Sequence, residues 1–184
     1  EADAAAALRV ILPRRAGRAI SAGYDLAEAE AGVDAAATLA ELTADFDNIM
    51  RFCDCPKPTI AAGHGYCLGS AMEMALACDI TLGADDARLG APEVKFGSGI
   101  VAMILPWVCG PKKAKEWLLS GDDRITAGEA EQWGLLNRVT SLDALHDEAR
   151  NLAMEIAGND QLAVRLTKQA INQGCDIAGM RRAM

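Results

Sequence analysis

Two glutamates in this sequence stand where a carboxylate could do chemistry. Glu73 follows the small residues Gly69 and Ser70, and Glu93 follows Pro92 in a stretch with few polar residues. Two carboxylates from separate segments can hold one water molecule between them, so that one takes a proton while the other gives one. Burial would raise the pKa of Glu93 toward the range that general acid/base work requires. The pair therefore predicts addition of water across a conjugated double bond.

A helix beginning near Gly69 could supply the second part of such a site. Residues 65–70 join a predicted strand to a predicted helix, and the first N–H groups of a helix have no partner within it. Backbone donors aimed at a thioester carbonyl would stabilise the charge that develops there, each by roughly 10² to 10³ in rate. We predict one donor at Ser70 and the other in the turn Ala22-Gly23-Tyr24-Asp25. The turn is also explained by Gly23 as a turn glycine and Asp25 as a helix cap.

Both glutamates have structural alternatives as well. Ser70 and Glu73 fit the Ser-x-x-Glu pattern of a capping box, in which the glutamate closes back on the start of its helix. Glu93 could instead form an ordinary loop ion pair with Lys95 or Arg88. The sequence leaves these alternatives open.

The elements that hold these residues follow from periodicity and from the positions of Gly and Pro. A strand over 59–62, a helix over 69–77 and a strand over 78–82 are predicted in succession. A strand, a helix and a strand within about twenty-five residues favour a parallel crossover unit. The predicted fold class is therefore α/β.

Helices are expected to dominate the rest of the chain. Apolar residues at three- and four-residue steps predict a long helix from about 33 to 53, preceded by a short strand over 8–12. Proline, capping residues and glycine delimit the later elements. These are helices over 112–119, from Thr126 to Trp133, over 142–157 and from Asp160 onward, with a strand over 135–139.

Composition argues against several functional classes. The 184 residues carry a formal net charge of −8, whereas nucleic-acid binding depends on clustered Lys and Arg. No run approaches the ~20 apolar residues of a membrane helix. The six cysteines suggest reduced thiols in the cytoplasm, and Cys53 and Cys55 lack partners at metal-ligand spacing. We expect no nucleic acid, no membrane and no metal.

Together the motifs resemble the enoyl-CoA hydratase/isomerase (crotonase) superfamily. The resemblance rests on residues 57–70, 73–80 and 91–93, and continues through 17–26, 110–114, 118–121 and 130–139. It implies a crotonase-like β-β-α superhelix, a homotrimer or dimer of trimers, and an acyl-CoA substrate of fatty acid metabolism with no separate cofactor. Within this fold we expect a core over 1–140 and a helical C-terminal region over 141–184.

The resemblance also assigns roles to individual residues. It implies oxyanion-hole N–H groups at Tyr24 and Ser70 and catalytic carboxylates at Glu73 and Glu93. Both glutamates together favour an enoyl-CoA hydratase that forms a 3-hydroxyacyl-CoA. Substrate-binding residues are expected at Ala22, Asp25, Leu26, Tyr66 and Gly69.

Two other outcomes stay open at this point. One is a different crotonase reaction, double-bond isomerisation or thioester hydrolysis, with one glutamate as base. The other is a non-catalytic crotonase-like subunit that binds partners. Ser70-Ala71 stands where many members have two glycines, and the usual Pro-Gly-x-Gly-Gly segment after Glu93 is absent. We also expect the chain to begin after the family's first strands and to end before its last helices.

Overall fold

Pairs of short strands separated by helices stack into two small sheets. The computed structural model describes residues 8–13, 17, 19–21, 23 and 35–184. One sheet has the order β1-β3-β6 and the other the order β2-β4-β5. The strands are β1 Ile60–Gly63, β2 Tyr66–Leu68, β3 Ile80–Ala84, β4 Arg88–Gly90, β5 Ile125–Thr126 and β6 Arg138–Thr140.

Seven helices and one short 3-10 helix, Pro92–Phe96, lie in the described part of the chain. The helices are α1 Ala35–Asp54, α2 Ser70–Ala77, α3 Leu105–Ser120, α4 Ala127–Gln132, α5 Leu145–Gly158, α6 Gln161–Ile177 and α7 Met180–Ala183. Helix α3 bends at Gly110, and Pro111 follows the bend. The side chains of Thr126 and Asp160 cap α4 and α6, which confirms both predicted helix starts.

The predicted parallel crossover is confirmed. Strand β1 pairs with β3 in parallel, with Ile60 opposite Ile80 and Gly63 opposite Gly83, and α2 lies between the two strands in sequence. Strands β2 and β4 are also parallel, as are β3 and β6, whereas β5 runs antiparallel to β4. The α/β class is therefore correct: parallel crossovers build the first sheet, and the second sheet adds the antiparallel β5 to a parallel pair.

Small residues let these layers approach closely. A side chain at Gly63 would overlap Ile20, and one at Gly83 would overlap Leu136. Met72 of α2 is completely buried in the main core, among many alanines. This close packing fits a sequence with 51% hydrophobic but only 4% aromatic residues.

Several predicted strand boundaries are wrong. Within residues 8–12 the structure has only a single bridge, from Ile11 to Thr59, rather than a strand. Strand β3 starts at Ile80 and not at residue 78. The Asp79 carboxylate accepts a hydrogen bond from the Thr59 N–H, and this bond holds Asp79 in a turn before the strand. Strand β6 starts at Arg138 rather than at 135, because residues 135 and 136 both donate to the carbonyl of Ala130.

The C-terminal region is helical, and its first helix belongs to the main body. Leu145 and Ala149 of α5 share a buried cluster with Ile60 and Leu82 of the first sheet. The boundary at residue 140 stays a prediction. No helix in the described ranges is both long and apolar enough to cross a membrane.

Candidate active site

The start of α2 is fixed by a glycine in a left-handed conformation. Gly69 is the N-cap, with φ 59°, and its N–H donates to the Gly90 carbonyl at 2.9 Å. Ser70 is the first helical residue, and the N-cap Gly69 has no side chain that could cap the helix. The N–H groups of the first turn therefore have no partner within the helix, as the sequence predicts.

Glu73 points away from the start of its own helix. The side chain is buried, with 2% exposed, and its Oε1 accepts a hydrogen bond of 2.8 Å from the Ala102 N–H. The capping-box alternative is wrong, because the N-cap is Gly69 rather than Ser70 and the carboxylate contacts a different segment.

Burial changes the proton affinity of this carboxyl group. Loss of hydration raises the pKa of Glu73 to about 7, although the hydrogen bond from the Ala102 N–H acts in the opposite direction. The negative charge of Glu93 raises it further. The two carboxyl groups therefore interact electrostatically, and Glu73 exchanges a proton readily near neutral pH.

Glu93 lies against the glycine that starts α2. A Cβ atom at Gly69 would be 2.8 Å from Glu93 Oε1, so only glycine leaves room for the carboxylate. Glu93 Oε2 is buried and has no hydrogen-bond partner within the described ranges. Burial raises the pKa of Glu93 as well. An unsatisfied buried oxygen is costly, and no residue in the described part of the chain offsets this cost with a hydrogen bond to Oε2.

The predicted ion-pair alternative for Glu93 is wrong. Lys95 pairs with Asp123 at 3.5 Å, and a guanidinium nitrogen of Arg88 donates to the Ala87 carbonyl at 2.8 Å. Neither cation pairs with the Glu93 carboxylate.

One chain segment joins the surroundings of both carboxylates. The Ser98 N–H donates to the backbone carbonyl of Glu93 at 3.1 Å, and four residues later the Ala102 N–H holds Glu73. No local sequence pattern indicates the role of Ala102, because this residue lies 29 positions from its partner, Glu73. The Gly-rich segment after Glu93 therefore positions the other glutamate.

The segment before the second predicted oxyanion donor runs beside β2. Ser21 donates its N–H to the Tyr66 carbonyl at 3.0 Å and accepts from the Leu68 N–H at 3.1 Å. A Cβ atom at Gly69 would be 3.6 Å from the Gly23 Cα, so Gly23 lies next to the start of α2. The next residue in the chain is Tyr24.

Four predicted site residues lie outside the described residues, and their roles stay predictions: Ala22, Tyr24, Asp25 and Leu26. Tyr66 is half-exposed at the start of β2, and its substrate-binding role also stays a prediction. Within the described ranges no three His, Cys, Asp or Glu residues are grouped to hold a metal ion.

A cavity of about 890 Å³ lies elsewhere, between α6 and the core. It is lined by residues such as Leu76, Trp107 and Val164, and contains neither glutamate. The candidate site is therefore identified by its chemistry and not by the size of a cavity.

Known proteins resemble this chain along almost all of its length. A family model described as enoyl-CoA hydratase/isomerase matches residues 2–183. The crystal structure of an enoyl-CoA hydratase/isomerase from Xanthobacter autotrophicus Py2 superposes with a TM-score of 0.93 and 48% identity, over 99% of this chain and 68% of that one.

Two curated relatives match a smaller part of this chain. The mevalonyl-coenzyme A hydratase sidH of Aspergillus fumigatus is 40% identical over 69% of this chain and 48% of its own length. The crotonyl-CoA hydratase of Syntrophomonas wolfei is 42% identical over 64% of this chain and 46% of its own length. The chain thus spans about half the length of these relatives.

Proposed function

This chain belongs to the enoyl-CoA hydratase/isomerase family, and we propose that it adds water to a 2-enoyl-CoA to give a 3-hydroxyacyl-CoA. The observation that carries the proposal is the pair of carboxyl groups at the start of α2: Glu73 is buried, Glu93 has a buried oxygen, Oε2, and the charge of Glu93 raises the pKa of Glu73. A single base would suffice for isomerisation, whereas hydration uses one group to take a proton and another to give one.

The two carboxyl groups transfer protons at the two carbons, C3 and C2, across which the water is added. One carboxylate accepts a proton from the water as its oxygen forms a bond to C3 of the acyl chain. The other carboxyl group donates a proton to C2, so that the elements of water are added and the double bond is consumed. Glu73, with a pKa of about 7, has both protonation states accessible near neutral pH.

Negative charge on the thioester oxygen is stabilised by backbone donors. Ser70 is the first residue of α2, where N–H groups have no intrahelical acceptor and the helix dipole favours an anion. The position of Gly23 beside Gly69 supports the Tyr24 N–H as the second donor, because Tyr24 directly follows Gly23. Two such donors act together as an oxyanion hole.

Product analysis tests this function. The purified chain is given a 2-trans-enoyl-CoA, and the enone absorbance is followed while the products are separated. We expect loss of the absorbance with formation of a 3-hydroxyacyl-CoA. A shifted alkene would identify an isomerase, free coenzyme A a hydrolase, and unchanged substrate that remains bound a non-catalytic subunit; each of these would overturn the proposal.

Three further features are proposed with it. Coenzyme A would enter as part of the substrate, with no separate cofactor, and the reaction would serve fatty acid metabolism. A homotrimer or dimer of trimers is supported by the exposed apolar residues Leu162 and Leu166 on α6, and sedimentation should then give three or six times the chain mass of 19.4 kDa. A cytoplasmic location is supported by the six free thiols.

A further inference from the structure

The bend in α3 forms one wall of a groove that the proposed reaction does not use. The groove has a volume of about 770 Å³ and is lined by residues on both sides of the bend together with Trp133. The bend arises at Gly110, where φ is 78° and ψ is 160°, and Pro111 then begins the second part of the helix. None of the lining residues belongs to the candidate active site.

The groove is rich in positive charge. Lys112, Lys113 and Lys115 all line it, within four consecutive positions. Lys113 pairs with Glu116 at 3.0 Å, whereas Lys112 and Lys115 form no ion pair with any residue in the described ranges. On a chain with a formal net charge of −8, this local patch would attract an anion.

An aromatic ring stands at the edge of the same groove. Lys113 Nζ lies 4.9 Å from the ring centroid of the buried Trp117 and 5.2 Å from that of Trp133. These cation–π contacts hold the Trp133 ring in place. Because Trp133 is 41% exposed, part of its surface is available to a ligand. Exposed aromatic rings beside cations are the combination on which nucleic-acid bases stack.

We propose that this groove binds a nucleoside monophosphate. Lys112 and Lys115 would hold the phosphate, and the base would stack on Trp133. A simple anion would use only the lysines, and an apolar ligand would use only the Trp133 ring. A nucleoside monophosphate uses both, because it carries a phosphate and an aromatic base. Neither Glu73 nor Glu93 lines the groove, so binding of a nucleotide there would not use the carboxyl pair.

The three tryptophans of the chain allow a test that shows where on the protein a ligand binds. In ¹⁵N-labelled protein their indole N–H signals are followed during titration with 5′-AMP, ribose 5-phosphate and inorganic phosphate. We expect 5′-AMP to shift the Trp133 signal saturably. Trp107, which is equally exposed but does not line this groove, should not respond. Ribose 5-phosphate and inorganic phosphate should bind at least roughly tenfold more weakly, because they lack the stacking ring.

Variants then test the lysines. Replacing both, Lys112→Ala with Lys115→Ala, should weaken 5′-AMP binding roughly tenfold or more, whereas the exposed Arg124→Ala should leave it unchanged. The arginine pair Lys112→Arg with Lys115→Arg should retain binding. No shift of Trp133, an equal shift of Trp107, an unchanged affinity in the double alanine variant, or inorganic phosphate binding as tightly as 5′-AMP would overturn the proposal.

Discussion

At the scale of single residues, the site depends on the buried Glu73 and on Glu93, whose Oε2 is buried; neither forms an ion pair with a residue that the structure describes. Glu73 Oε1 accepts a hydrogen bond from the Ala102 N–H, and Glu93 Oε2 accepts none within the described ranges. Burial of an unpaired carboxylate costs free energy, so both groups hold protons more tightly than in water. Groups with such shifts are common at catalytic sites, which is why these two residues, among many acidic ones, carry the proposed chemistry.

Gly69 is expected to tolerate no side chain. In Gly69→Ala the new Cβ would meet Glu93 Oε1 at 2.8 Å, and its φ of 59° is strained for alanine. Displacing the carboxylate should lower kcat by about 10²-fold, and the strained backbone should cost about 1 kcal/mol of stability. Steady-state kinetics and denaturant unfolding measure both effects.

Gly128→Ala is the matched control, because a Cβ atom there would meet nothing within 4 Å. It should leave kcat unchanged and stability unchanged or slightly increased. Equal activity in the two variants would contradict the placement of Glu93 against Gly69.

The buried Glu73 should also make stability depend on pH. Below pH 4.5 the group is protonated in the folded and the unfolded chain, and well above about 7 it is ionised in both. Between these values only the folded chain holds the proton. The free energy of unfolding should therefore fall as pH rises through this window, by about 3 kcal/mol relative to the uncharged Glu73→Gln.

Urea unfolding of both proteins at pH 4.5, 6 and 8 measures this difference. The wild-type chain should lose stability relative to Glu73→Gln between the first and the last of these values. A difference that stays constant across the series would show that Glu73 keeps its ordinary pKa in the folded chain.

At the scale of elements, α6 is attached to the rest of the fold chiefly through polar contacts. None of its residues is buried. Lys168 Nζ donates to Asp79 Oδ2 at 2.7 Å and to the backbone carbonyls of Lys57 and Phe52 at 3.1 and 3.3 Å. Asn172 donates to the Cys53 carbonyl at 3.0 Å. The helix thus satisfies carbonyl groups at the end of α1, across the cavity of about 890 Å³ that separates it from the core.

Removing the Lys168 ammonium should loosen this helix locally. In Lys168→Met the lost charged hydrogen bonds should cost about 2 kcal/mol, so that amide hydrogens of α6 exchange roughly 30-fold faster. Amides of β1 and β3 should keep their protection. The control is Arg165→Met, which removes an exposed cation from the same helix and should change the exchange rates of neither α6 nor the two strands. Equal exchange of the α6 amides in the two variants would contradict the role given to Lys168.

The sequence predicts long elements, and elements that begin or end at a capping residue or a proline, better than it predicts short strands. Helix α1, the start of α6 at Asp160 and the crossover around α2 were identified from apolar spacing, caps and Pro. Strands β2, β4 and β5 have only two or three residues, too few for a periodic signal, and they exist because neighbouring strands supply their partners. Likewise, Glu73 could be singled out from sequence, but its contact with Ala102 could not, because it is a tertiary contact.

At the scale of the whole molecule, the pairing of β2 with β4 brings separate segments to one place. The Gly69 N–H donates to the carbonyl of Gly90 on the neighbouring strand, which sets the start of α2 beside the 3-10 helix that carries Glu93. The segment after Glu93 then returns to Glu73 through Ala102. The fold therefore holds two groups, twenty positions apart in sequence, close enough for the charge of Glu93 to raise the pKa of Glu73.

We propose that these two carboxyl groups act as one unit in adding water. The most direct test is the rate of 3-hydroxyacyl-CoA formation by the wild-type chain, by Glu73→Gln, by Glu93→Gln and by the double variant. Each single change should lower kcat by about 10² to 10⁴, and the double variant should lose little more, because either loss already disables the unit. Glu129→Gln, on the exposed face of α4, should retain wild-type kcat. Wild-type turnover in either single variant would contradict the account.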